Sequence, residues 1–266
     1  MNHVISKDGI QIAYDKQGKG PALILVAAAA ADHRDAGQLA ERLGEHFTVY
    51  NYDRRGRGGS TDAASYAVER EVEDIQALIA ESGGSALLFG SSSGAVLALE
   101  AASRLKEGID GVCLYEPPFI VDDGRTPVPS DYVQHLNRLA DAGDRSEAVE
   151  YFLTQAVGVP GEFVEYMKAD PSWKGMEQLA HTLAYDGMVM GNTQSGQPLP
   201  KGRWNVDVPV HVLCGENSPS FLHSSAKALV ELLANAQYRV LAGQDHSAVV
   251  MAPAVLAEEI AVCFKA

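Results

Sequence analysis

Only three cysteines occur in 266 residues. Cys113, Cys214 and Cys263 each lie in an apolar stretch, with no spacing that would assemble a metal site. A disulfide framework is therefore excluded, and the thiols are expected to be small buried hydrophobes in a reducing compartment, which points to the cytoplasm. Positive charge is also scarce: 21 Lys and Arg stand against 35 Asp and Glu, a net −14. That balance argues against a nucleic-acid backbone or an anionic membrane surface as partner. Long hydrophobic runs are missing. Met1–Lys7 has no apolar signal core, and no stretch approaches the length of a transmembrane helix. Repeats and low-complexity segments are absent, apart from the alanine run 27–31.

What is present suits one large globular domain, or one carrying an insertion: 46% of the residues are hydrophobic. Residues 3–7 and 10–15 read as a strand pair. Ala22–Val26 is a continuous apolar run, as expected of a strand buried on both faces. A helix near 33–44 leads to a strand at 47–51. Val68, Val72, Ile75, Leu78 and Ile79 recur at three- and four-residue steps, which predicts an amphipathic helix over 66–81. Strand 86–89, a helix and strand 111–115 follow. This alternation predicts a mostly parallel sheet covered on both faces. It stops at Pro117-Pro118, and from about 128 to 195 the pattern is helical only, with candidates at 129–142, 145–157, 161–169 and 171–184. Residues 191–208 read as loop. Alternation resumes with strand 210–214, a helix near 219–234, strand 238–242 and a closing helix near 253–264. The expected organisation is an α/β core, 1–118 and 196–266, with a helical cap inserted over 119–195.

Two motifs carry chemistry. Gly90-Ser91-Ser92-Ser93-Gly94 lies between the apolar run Ala86–Phe89 and the helix formers Ala95–Ala102. Strand, G-x-S-x-G, helix is a nucleophile elbow, in which the turn leaves no room for large side chains two residues either side of the serine. Ser92 would then stand at the positive end of a helix. Tyr52-Asp53-Arg54-Arg55-Gly56-Arg57-Gly58-Gly59-Ser60 follows the preceding strand. Its glycines permit tight turns, and Asp53 with Arg55 is read as tying the loop down; a phosphate clamp by Arg54, Arg55 or Arg57 is the weaker reading. Elbow, D-x-R-G-x-G-x-S loop, insertion and element order together resemble the α/β-hydrolase fold over nearly the whole chain. Short strings also resemble zearalenone lactonases: the Ser-Ser-Gly-Ala ending of the elbow, a Glu-x-Pro after the next strand, and a terminal Gly-x-x-His. Those strings do not carry the substrate across.

The resemblance implies a base in the loop after the last strand, where His246 stands in Ala242–Ser247, and an acid to orient it. Seven other histidines have structural readings, although His33 lies close enough to the site to note. At the commonest position of the acid, a G-x-x-D after strand 210–214, the sequence reads Gly215-Glu216-Asn217-Ser218. An alternative position after the strand following the elbow helix holds Glu116. It is preferred over Glu216, two residues early, and over Asp245, which is adjacent to His246. Oxyanion donors are expected from the backbone N–H groups of Ser93 and Ala29. Where many members of the fold have His-Gly, and the lactonases Asp-Gly, this chain has Ala27–Ala31, so a residue of positive φ there would be strained.

These residues predict a serine hydrolase acting on a carboxylic ester, lactone or thioester, with catalytic Ser92, His246 and Glu116, no cofactor and no metal. Carbon–carbon bond hydrolysis and perhydrolysis remain open on the same set. A slow or inactive small-molecule receptor of the same fold is the alternative, favoured by the alanine loop. Ala28, Trp173, Tyr185 and Met188, with Met176 and Met190, are candidate contacts for a small hydrophobic substrate.

Overall fold

Strand β3 (Ala22–Val26) shows why the sheet is covered twice: Leu23 and Leu25 enter the apolar core on one face, Ile24 and Val26 the core on the other. Strand β6 (Ile109–Tyr115) divides likewise, with Val112 and Leu114 on one side and Cys113 and Tyr115 on the other. Period-two side-chain alternation with both faces apolar is what a central parallel strand requires. The computed structural model describes residues 1–265.

The remaining strands are β1 (Asn2–Ile5), β2 (Gln11–Gly18), β4 (Thr48–Tyr52), β5 (Ala86–Ser91), β7 (Val210–Gly215) and β8 (Ala236–Leu241). They form one eight-stranded sheet in the order β1-β2-β4-β3-β5-β6-β7-β8. β1 and β2 pair antiparallel, as do β2 and β4, and every later pairing is parallel. The register sets Ser91 beside Tyr115, and Tyr115 beside Leu213. The residues that follow these strand ends therefore meet at one edge, the place where open α/β sheets bind ligands.

Helices α1 (Gly37–Leu43), α2 (Val68–Glu81) and α3 (Ser93–Arg104) fill the first half. Helix α2 buries Val72, Ile75, Leu78 and Ile79 as its periodicity predicts, but Glu71 and Asp74 are buried on it too. Each of these carboxylates meets an arginine of the loop after β4. Between β6 and β7 come α4 (Tyr132–Ala142), α5 (Arg145–Tyr151), a π-helical stretch (Phe152–Val157), α6 (Gly161–Met167), α7 (Ser172–Leu179), a 3-10 turn (Ala180–Thr182) and α8 (Leu183–Met190). This insert has its own apolar cluster around Leu136, Val149, Trp173 and Leu183, while Val189 and Met190 join the main core. Helices α9 (Ser220–Leu232), α10 (Ala248–Met251) and α11 (Pro253–Phe264) complete the chain.

The predicted strands stand within a few residues of those observed. Two expectations in the insert need correcting. The helix predicted over 145–157 changes to π geometry at Phe152, and α8 was not anticipated as a separate helix. Leu183–Met190 is buried on nearly every side, so it shows no apolar stripe against a polar face. Among the described residues, no helix is long and apolar enough to cross a membrane.

Candidate active site

Among the described residues, three non-glycine ones have positive φ: Ser92 (φ 54°), Glu116 (φ 50°) and Ala30 (φ 54°). All three border the same strand ends. Ser92 sits between β5 and α3 with ψ −124°, a conformation held only where the surroundings over-determine it. Here they do. A Cβ on Gly90 would lie 2.3 Å from the carbonyl oxygen of Gly94, and one on Gly94 would lie 2.3 Å from that of Val26. The Ser92 N–H donates to the carbonyl of Tyr115 at 2.9 Å, tying the elbow to the end of β6. The half-buried Ser92 thus starts a helix whose first N–H groups have no intrahelical acceptors.

Glu116 follows β6 and is fully buried. Its Oε2 lies 2.6 Å from Nδ1 of His246, which the loop after β8 presents with 43% of its side chain exposed. Oε1 accepts from the Gly215 N–H at 2.7 Å, from the Ser218 hydroxyl, and weakly from the Cys214 thiol at 3.4 Å. Burial pushes the Glu116 carboxyl up, but the hydrogen bonds from His246, Ser218 and Gly215 outweigh it and hold the group below its ordinary value of 4.5. The two other carboxylates considered for this role are turned away. Glu216 accepts from the Gly243 N–H and Asp245 from Ser247, both at exposed positions. Ser218, standing where the commoner pattern has an aspartate, instead donates to the carboxylate that orients His246. Nothing in the local sequence signals that role.

The alanine loop is braced from beneath. Arg57 Nη1 donates to the carbonyls of Ala28 (2.6 Å) and Ala31 (3.4 Å), and Arg54 Nη1 to that of Ala27 (3.2 Å). Both guanidinium groups are fully buried and share Asp186 of α8, at 2.6 and 2.7 Å. Arg54 also forks onto Glu71, and the Ser93 hydroxyl donates to Asp186 at 2.8 Å. Two cations and two carboxylates thus balance inside the protein, and one carboxylate touches the residue after Ser92. Burial pushes the Asp186 and Glu71 carboxyls up, but their arginines hold both below ordinary values. Arg55 and Asp53 tie down their own loop as expected, Arg55 on Asp74 and Asp8, Asp53 on the N–H groups of His33 and Gly59.

Asp186→Asn is therefore expected to lower stability by about 3–5 kcal/mol, the usual cost of leaving buried charges unpaired. Its pH signature has a definite sign. A carboxylate whose folded pKa is depressed stabilises above its unfolded value, here 3.8, and that contribution disappears as pH falls through the folded value. Denaturant titrations at several pH values should show the wild type losing stability on acidification with a steeper limb than Asp186→Asn; parallel limbs would contradict the pairing.

Within the alanine loop the positive φ, and with it the strain, falls on Ala30. Relief of a left-handed alanine is worth about 1–2 kcal/mol, and glycine's extra unfolded-state freedom costs about 0.4–1 kcal/mol. Ala30→Gly should accordingly raise the melting temperature slightly, whereas a clear drop would show that Ala30 packing outweighs its strain. The N–H of Ala29 donates to no protein acceptor among the described residues, and Ala29 faces both cavities at Ser92.

Those cavities, about 150 and 250 Å³, meet at Ser92 and His246. The smaller runs beneath the insert, against Tyr132, Phe152, Asp186, Met190 and Phe221; the larger lies under the alanine loop, against Ala28, Phe89, Tyr115 and Val249. Ala28 lines the larger cavity and Met190 the smaller. Trp173, Met176, Tyr185 and Met188, expected as contacts, line neither cavity. Trp173 is buried in the insert's own core, with its indole N–H on Ser146 and Glu177. Tyr185 stacks on Tyr66 and bonds Asp62, and Met188 is exposed. Their residue types marked these side chains as apolar without saying which face of the insert looks down on Ser92.

Among the described residues one cluster has metal-ligand composition: one ligand atom each of Asp32, His33 and Asp53 lie within 4.8 Å of one another. Its groups already satisfy each other and Arg34, through His33 Nδ1 on Asp53 at 2.7 Å and the Arg34 fork on Asp32.

A serine at a strained strand end, a histidine held by a buried carboxylate, and free backbone N–H groups beside them are equipped for acyl transfer. The chain belongs to the alpha/beta hydrolase family, whose model matches residues 23–259. It is similar to the crystal structure of an alpha/beta hydrolase from Sphaerobacter thermophilus, with 43% identity, 99% of this chain and 100% of that one covered, and a TM-score of 0.91. It is also 35% identical over 142 residues to the N-formylmaleamate deformylase of Pseudomonas putida (52% of this chain, 53% of that one), and 34% identical over 120 residues to an uncharacterized hydrolase of Bacillus subtilis (44% of each). In these alignments the chain spans about half the length of the curated relatives it matches.

Proposed function

We propose that the protein is a serine hydrolase that cleaves a carboxylic ester, lactone or thioester of a small hydrophobic substrate through an acyl-enzyme. Ser92 Oγ attacks the carbonyl carbon while His246 Nε2 takes its proton. The Nδ1–H of His246 donates to Glu116, whose charge stabilises the imidazolium. Backbone N–H groups of Ser93 and Ala29 receive the oxyanion, His246 returns the proton to the leaving group, and water activated by His246 then frees the acyl group from Ser92. The helical insert over 119–195 acts as the cap that shapes the site, and side chains and water complete the chemistry without a metal or cofactor.

The observation that carries this reading is the 2.6 Å contact between His246 Nδ1 and Glu116, whose second oxygen is held by Gly215 and Ser218. That arrangement fixes the tautomer in which Nε2 is left free to accept a proton. Among the described residues the Ser92 hydroxyl makes no hydrogen bond; such contacts are often long before substrate binds and tighten afterwards. Labelling of Ser92 by a fluorophosphonate probe, combined with turnover of aryl esters and lactones, tests the proposal. Labelling without turnover would favour a receptor of the same fold.

A further inference from the structure

The smaller cavity at Ser92 contains one cation without a carboxylate. Arg125 lies in the loop between β6 and α4, half-buried, and lines that cavity together with Phe221. Its Nη2 donates to the carbonyls of Gln155 (3.2 Å) and Ala156 (2.7 Å), and its guanidinium lies over the Phe221 ring, 4.8 Å from the centroid. Among the described residues no carboxylate comes within 4 Å of it, and Nε and Nη1 make no hydrogen bond, yet neither is a sealed, unsatisfied buried atom. The neighbouring acids do not serve it: Asp122 accepts from the Gly124 N–H, and Asp123 is exposed. Asp186, also on the cavity wall, is already taken by Arg54, Arg57 and Ser93.

The contrast with the loop after β4 is informative. Arg54, Arg55 and Arg57 are each paired with buried carboxylates. In a chain with 35 acidic residues, an arginine that lines the same cavity as Ser92 with no carboxylate partner and with Nε and Nη1 free is an exception. Burial disfavours its charge with no compensating carboxylate. A planar guanidinium with free N–H donors in an apolar surround suits one kind of ligand above others, a carboxylate.

We propose that Arg125 binds a free carboxylate carried by the substrate, so that the enzyme acts on small esters, lactones or thioesters that bear a second, anionic end. This rests on the hydrolase reading above and narrows it. Phe221 stacks the guanidinium, the two carbonyls hold its orientation, and the cavity of about 150 Å³ fits a short chain between the carboxylate and the scissile bond.

Monomethyl adipate and dimethyl adipate differ in that one charge. Calorimetric binding of each to the Ser92→Ala protein, which cannot turn them over, reads the site directly. Charge-assisted hydrogen bonds predict the monoester to bind roughly 10- to 100-fold more tightly. Adding Arg125→Gln should bring the two esters within about 3-fold, since one charge-assisted bond accounts for the difference. Arg125→Lys, which keeps the charge without the fork, should retain part of the preference and guards against a variant that fails to fold. Equal or undetectable binding of the two esters overturns the proposal. So does an Arg125→Gln protein that weakens both alike, because the arginine would then only brace the π-helical stretch. Hydrolysis of the same pair by the Ser92 enzyme separates the two readings. Selective binding with no turnover of either ester leaves the carboxylate site standing and removes ester hydrolysis; turnover of both without selectivity does the reverse.

Discussion

Ser92→Ala is expected to lose hydrolysis by a factor on the order of 10⁴ or more while remaining folded, because removing the proposed covalent nucleophile would leave only the contribution of binding and oxyanion donors. The stability side follows from the same geometry. Ser92 holds φ 54° and ψ −124°, and alanine is strained there to the same degree, so the exchange does not change the backbone cost. The hydroxyl makes no hydrogen bond among the described residues that would be lost. Melting temperature and far-UV spectrum should match the wild type. Near-wild-type turnover by a folded Ser92→Ala protein would sink the mechanism as a whole, and no other serine of the elbow would rescue it: Ser91 is buried and Ser93 is committed to Asp186.

Under the proposed mechanism Glu116→Gln is expected to lower kcat by about 10³- to 10⁴-fold, the effect of replacing a triad carboxylate by an amide that neither holds the imidazole in the right tautomer nor balances its charge. Binding should change far less, since Ser92, the oxyanion donors and the cavity walls are untouched. Glu216→Gln is the matched control. Its carboxylate faces Gly243 at an exposed turn, so most activity should survive. The structure adds a third member to the set. Ser218→Ala removes one donor to Glu116 Oε1 but leaves Gly215 and His246 in place, so its loss should be intermediate. Measuring kcat and binding for all three side by side decides the assignment. A crippled Glu216→Gln beside a healthy Glu116→Gln would reverse it.

The elbow was legible in the sequence because its constraint is local: Gly90 and Gly94 are required by atoms within a few residues or on the adjacent strand, and the flanking strand and helix state their types plainly. The resemblance to the fold, not the strand pattern alone, pointed to the loops holding His246 and Glu116; the sheet then brings them together, since residues that follow parallel strands emerge at one edge. The alanine loop was legible as a segment where a positive φ would strain alanine, but not which alanine carries it, because φ depends on how the loop is held and Arg54 and Arg57 do the holding from below.

Sequence alone thus determined the fold, the parallel sheet and the likeness to hydrolases, since hydrophobic periodicity and turn sterics act over short stretches that a linear reading can see. Only the tertiary structure decided which cap side chains reach the cavity, that Ser218 supports the Glu116 carboxylate, and that Asp186 closes a charge network with Arg54 across 132 positions. The physical reason is the same in each case. A buried charge or polar group is stabilised by whatever partner the packed elements bring within about 3 Å, and separation along the chain carries no record of that distance.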